Sequence, residues 1–171
     1  MHACTVTIVS AGLVAALASV FVVAKSTANR AAQPAFGGGV VRIKADYPLP
    51  EAIARMKQDI AKQDIAAKGI MMFSAIDQAK LAADAGISLR PSTLLVFGNP
   101  ALGSQFITSK VQAGLDWPVR LLVQEDENGQ VWATYTDFDW IARRHRITDR
   151  QPAFEMASKV IASIVSSAQK K

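Results

Sequence analysis

The chain has 171 residues, half of them hydrophobic and 19% charged, which is the composition of a globular protein and not of a disordered one. The formal charge of +5 shrinks once Lys25 and Arg30 of the N-terminal tail are set aside. The body then holds 17 basic residues (19 less 2) against 14 acidic ones, too even a balance for the basic stripe of a nucleic-acid-binding domain. One cysteine, Cys4, and two histidines, His2 and His145, exclude a disulfide in the body, a Cys/His metal centre and a cysteine nucleophile.

Residues Cys4 to Ala24 carry no charge and are rich in Ala, Val, Leu and Ile. As a helix they would span about 31 Å at ~1.5 Å per residue, the thickness of a bilayer core. Residues 1–28 are therefore expected to be a signal peptide or membrane anchor. The small residues Ser26-Thr27-Ala28 suit a cleavage site, and the expected location is periplasmic or secreted. If the segment is kept, residues 4–24 tether the body to the inner membrane. Against cleavage, no Lys or Arg precedes the apolar run; Lys25 and Arg30, read by the positive-inside tendency, would place the body of an anchored form in the cytoplasm. Residues 29–39, with Pro34 and three consecutive glycines, read as a flexible linker. Residues 40–171 are read as a single domain.

Val40 to Lys44 predicts a short strand. After Pro48 and Pro50, the spacing of Ile53, Met56 and Ile60 predicts an amphipathic helix ending near Gly69. Ile70 to Phe73 reads as a strand, and Asp77 as the N-cap of a helix closed by Gly86. Thr93 to Phe97 is almost wholly apolar and predicts a central strand. Asn99 and Pro100 suit the N-cap and first turn of a helix running to about Val111. Val119 to Glu125 and Gln130 to Thr136 read as a hairpin across the two-residue turn Asn128-Gly129. Val131, Ala133 and Tyr135 fall on one face of the return strand, Trp132 and Thr134 on the other. Asp137 caps a helix carrying Phe138, Ile141 and Ala142, and a last helix runs from Pro152 to Ala168. The order β-α-β-α-β-α-β-β-α-α predicts an α+β fold, a mixed or antiparallel sheet with helices packed on it, preceded by the N-terminal hydrophobic helix.

Phe73, Ile76-Asp77, Ala82-Ala83, Gly86, Leu89-Arg90-Pro91, Phe97-Gly98-Asn99-Pro100, Gly103, Asp116-x-Pro118, Glu125-Asp126, Gly129 and Tyr135 occur in this order over roughly Ile53 to Ile147. That series resembles the family called domain of unknown function 302 (DUF302). The resemblance implies a compact α+β domain, alone or attached to exported and membrane segments, with no agreed activity, substrate or cofactor. Where members of that family commonly carry a His after the Asp, this chain has Gln78, which can hydrogen-bond but cannot titrate.

The candidate ligand-binding residues are Asp77, Gln78, Asn99, Pro100, Trp117, Pro118, Arg120 and Tyr135. A strand-to-helix turn such as Gly98-Asn99-Pro100 often faces a cleft, although capping alone accounts for Asn99 and Pro100. The aromatic residues Trp117, Trp132, Tyr135 and Trp140 fit a pocket wall or simply core. Asp137 and Asp139, two apart, do not share a helix face and make a poor carboxylate dyad. Arg143-Arg144-His145-Arg146 reads as a solvated helix end. The leading expectation is a module that binds an unknown small molecule in a cleft formed by Asp77, Asn99-Pro100 and Trp117-Pro118, without catalysis, cofactor, metal or nucleic acid. The alternatives are an enzyme using Asp77 as acid or base, and an interaction module, a homodimer among its forms, using Trp140 or the Arg143–Arg146 face.

Overall fold

The computed structural model describes residues 37–63 and 69–170. The expected targeting helix, almost all of the linker and the end of the first helix near Lys68 lie outside these residues. Among the described residues, no helix is long and apolar enough to cross a membrane.

The chain forms β1 (Val40–Lys44), α1 (Leu49–Gln63), β2 (Met71–Asp77), α2 (Gln78–Asp84), β3 (Ser92–Gly98) and α3 (Pro100–Ser109). A 3-10 turn (Val111–Leu115), β4 (Val119–Glu125), β5 (Val131–Thr136), α4 (Phe138–His145) and α5 (Gln151–Ser166) follow. The five strands form one sheet in the order β1-β5-β4-β3-β2, and every neighbouring pair is antiparallel. The fold is α+β, and the strand and helix order is the one the sequence predicts.

Local chemistry sets the boundaries. Three helices begin at side-chain caps: Asp77 accepts from the Lys80 amide at 2.9 Å, Asn99 from Leu102 at 3.0 Å and Asp137 from Trp140 at 2.9 Å. Pro100 stands in the first turn of α3, where its missing N–H costs nothing. The β4–β5 loop is wider than the expected two-residue turn. Asp126 and Gln130 close it through Asp126 N to Gln130 O at 3.0 Å, leaving three residues between them. The last of these, Gly129, has φ 72, the left-handed conformation such a loop needs.

Alternation along the strands separates two faces. Leu95 and Phe97 of β3, Leu121 and Val123 of β4, and Val131, Ala133 and Tyr135 of β5 point to the core. There they meet Ala52, Met56 and Ile60 of α1, Phe138 and Ile141 of α4, and Phe154, Ala157, Ile161 and Ile164 of α5. Phe106 of α3 stacks on Phe154 with ring centroids 4.2 Å apart. Arg42, Ser92, Leu94, Val96, Arg120, Leu122, Gln124, Trp132 and Thr134 lie on the opposite face.

Candidate functional site

The antiparallel pairing of β2 with β3 pulls the expected cleft apart. Asp77 stands opposite Thr93, at the start of β3, while Asn99 follows its end. Those positions are about 20 Å apart at roughly 3.3 Å per residue. Trp117 and Pro118 precede Val119, which pairs with Phe97, so they lie at the Asn99 end. Asp77 and Gln78 thus share no cavity with Asn99, Pro100, Trp117 and Pro118. Asp77 is exposed and caps α2. Tyr135 is buried on the core face, and Arg120 is exposed on the other face.

Trp117 fills the crevice it was expected to line. Gly98 and Gly103 provide room for its indole: a Cβ on Gly98 would stand 2.9 Å from Trp117 Nε1, and one on Gly103 would enter the ring. Phe73 meets the indole edge-on, with centroids 5.9 Å apart. The peptide bond Trp117–Pro118 is cis. The space left among Phe97, Leu102, Phe106, Trp117, Val119 and Val160 is about 30 Å³, room for a water at most.

Beside Trp117, Asp116 is a buried and heavily bonded side chain. Its carboxylate is 4% exposed and receives Arg144 Nη1 at 3.1 Å on each oxygen. His145 Nε2 lies 2.6 Å from Oδ2, and Arg120 Nη2 lies 3.5 Å from Oδ1. Arg120 also donates to the Leu115 carbonyl at 2.9 Å. A carboxylate this buried is tolerated only with such partners. The cluster ties the loop before β4 to the last turn of α4. The adjoining cavity, lined by Asp116, Val119, Arg120, Thr136, Phe138 and Ile141, is about 10 Å³ and admits no substrate. The expectation that Arg143–Arg146 is wholly solvated therefore fails for His145, whose side chain is buried, and for Arg144. One signal marks this in the sequence. Phe138, Ile141 and His145 are spaced three and four apart, so His145 falls on the apolar stripe of α4.

A wider concavity than either of these lies elsewhere, across the sheet face away from the core. Val40 and Arg42 of β1, Thr134 of β5, Gln124 of β4 and Ser92 of β3 form its floor. Residues 88–91 and 125–127 form its walls, enclosing about 920 Å³. Arg42 is held flat, its guanidinium 3.9 Å from the Trp132 ring centroid and 3.5 Å from Asp126. Asp126 accepts from Trp132 Nε1 at 2.7 Å, from Asn128 N at 2.9 Å and from Gln130 N at 3.0 Å. The indole bond has the largest effect and holds its carboxyl below the ordinary value of 3.8; burial opposes it, and the two amides and Arg42 add to the lowering. Ser92 donates to Gln78 Oε1 at 2.8 Å, so Gln78 braces the groove from outside. The Thr134 hydroxyl is buried without a hydrogen-bond partner. Of the residues expected at a ligand site, none lines this groove, and Gln78 is bonded to Ser92, which does. Its sequence signal was the second face of β5, Trp132 and Thr134, set apart by alternation. Among the described residues, no three His, Cys, Asp or Glu side chains gather as metal ligands.

Comparison with known proteins follows the fold. The chain is 34% identical over 109 residues to proteins named fluoride-specific ion channel FluC 1 in Brucella suis and in Brucella abortus. The match takes in 64% of this chain and 41% and 38% of theirs, so the chain spans about two fifths of the length of these curated relatives. A crystal structure described as uncharacterized conserved protein DUF302 from Bacillus stearothermophilus superposes with a TM-score of 0.67. That alignment covers 77% of this chain and 98% of that one at 13% identity, which establishes a shared fold alone. The family model described as domain of unknown function DUF302 matches residues 41–164, most of the body, and the chain belongs to that family.

Proposed function

We propose that the body is a binding module without a reaction of its own, which takes a small zwitterionic molecule in the groove over the outer sheet face. The observation that carries this reading is the groove: about 920 Å³, lined by the guanidinium groups of Arg42 and Arg90 and by the carboxylates of Glu125, Asp126 and Glu127. That volume is in the range of small-molecule sites. Arg42 and Arg90 offer guanidinium donors to an anionic group, and Glu125 and Glu127 offer acceptors to a cationic one. Leu89 and Pro91 supply apolar wall between them. Arg42 is already immobilised on Trp132, which lowers the ordering cost of a bound anion. The Thr134 hydroxyl gains a partner if the ligand reaches the floor.

The module is further proposed to act in an exported or membrane-tethered protein. The uncharged run Cys4–Ala24 supports this. So does the name that the partly matched curated relatives carry, fluoride-specific ion channel.

A thermal-shift screen of residues 33–171 against amino acids, betaines, polyamines and simple carboxylates tests the binding reading. Stabilisation by the zwitterionic set, lost in Arg90→Ala, is the expected result. No stabilisation by any compound, or stabilisation that Arg90→Ala leaves unchanged, contradicts it.

A further inference from the structure

We infer that the end of the body bearing the last turn of α4 and the 3-10 turn docks on an anionic phospholipid surface. Val111 and Leu115, the first and last residues of the 3-10 turn, are 70% and 67% exposed. Lys110 precedes them. Arg120 bonds the Leu115 carbonyl, and Arg144 reaches Asp116 directly after the turn. Arg143 and Arg146 are exposed at the end of α4 and make no ion pair among the described residues.

The cations of this end gather in the last turn of α4, where Arg143, Arg144 and Arg146 follow one another closely, while its acids Asp137 and Asp139 stand at the start of that helix. Asp116 is buried, and Asp149 is engaged by Arg150 at 2.7 Å and by Ser109 at 2.6 Å, so neither offsets Arg143 or Arg146.

Two aliphatic side chains rimmed by cations match the interface of an anionic bilayer, where the apolar groups enter the acyl boundary and the cations meet phosphate. Nucleic acid would use the cations and leave Val111 and Leu115 without a role. The path of the chain favours the same end. Val40 pairs with Thr136, and Asp137 N donates to the Gly39 carbonyl at 2.8 Å, so the segment preceding the body joins it beside α4. That segment contains the uncharged run Cys4–Ala24. The acidic wall of the groove, Glu125 to Glu127, lies at the far end of β4.

The Bacillus stearothermophilus chain matches this fold over 98% of its own length, and the body is a compact unit of its own, which supports a body that folds without the apolar segment. Co-sedimentation of residues 33–171 with phosphatidylcholine–phosphatidylglycerol vesicles, beside pure phosphatidylcholine vesicles, is the test. The expected partition is at least about tenfold stronger on the anionic vesicles and is lost in high salt. The double variant Arg143→Glu/Arg146→Glu is expected to weaken it by about tenfold or more. Val111→Ser/Leu115→Ser is expected to weaken it too, with thermal midpoint and circular dichroism unchanged. Equal partition into both vesicles, partition into neither, or charge-reversed protein binding like wild type overturns the inference. So does tight binding of duplex DNA that Val111→Ser/Leu115→Ser leaves intact.

Discussion

Asp116 concentrates the energetic risk of the body in one side chain. Its carboxylate is withdrawn from water and held by Arg144, His145 and Arg120. Removing its charge leaves these partners facing a neutral amide, and Asp116→Asn is expected to lower unfolding free energy by on the order of 3 kcal/mol. Arg144 is 44% exposed, so water screens its share, and Arg144→Ala is expected to cost about 1 kcal/mol. Urea denaturation of the two variants checks the ordering; equal losses would contradict it. Gly103 makes a second residue-scale prediction. A methyl there enters the Trp117 indole along the Nε1–Cε2 edge that Gly98 also backs. Gly103→Ala is expected to destabilise by about 2 kcal/mol through overpacking and to shift Trp117 fluorescence. At this scale the sequence was only partly legible. The caps Asp77, Asn99 and Asp137 could be read because capping is local chemistry between residues three apart. The Asp116–His145 pair spans 29 residues, and no local rule brings those two together.

The β4–β5 hairpin is the element whose stability depends most visibly on one ionised group. Asp126 takes hydrogen bonds from the Trp132 indole and from two amides of its own loop, and its pKa is lowered accordingly. A carboxylate with a depressed folded-state pKa contributes stability above its unfolded value of 3.8 and loses it as pH falls through the lower folded value. Wild type is therefore expected to be more heat-stable than Asp126→Asn at pH 6, with the gap closing below about pH 4. Thermal midpoints at successive pH values check this; a gap that widens in acid would contradict it. Element type was legible because period and turn chemistry are short-range. The loop width was not, because Asp126 captures both Asn128 N and Gln130 N and so moves the closing pair from 127/130 to 126/130. The 3-10 turn Val111–Leu115 was missed for a related reason: its apolar residues are exposed and give no amphipathic period.

At the scale of the whole molecule, the antiparallel sheet decides which residues can cooperate. A central apolar strand fits a parallel or an antiparallel neighbour equally well, and only pairing fixes whether the turn residues meet. Pairing Asp77 with Thr93 sends Asp77 and Asn99 to opposite ends. The groove, by contrast, is assembled from single residues on four strands, each ordinary in its own stretch. Its existence follows from register: Arg42 opposite Thr134, and Ser92 opposite Gln124. The most direct test of the groove as a ligand site is amide chemical-shift mapping of labelled residues 33–171 titrated with a pool of amino acids and betaines. Saturable shifts clustered at Arg42, Arg90, Ser92, Gln124 and Thr134 are expected. Saturable shifts centred on Trp117 and Asn99 instead, or no saturable shift anywhere, would contradict it.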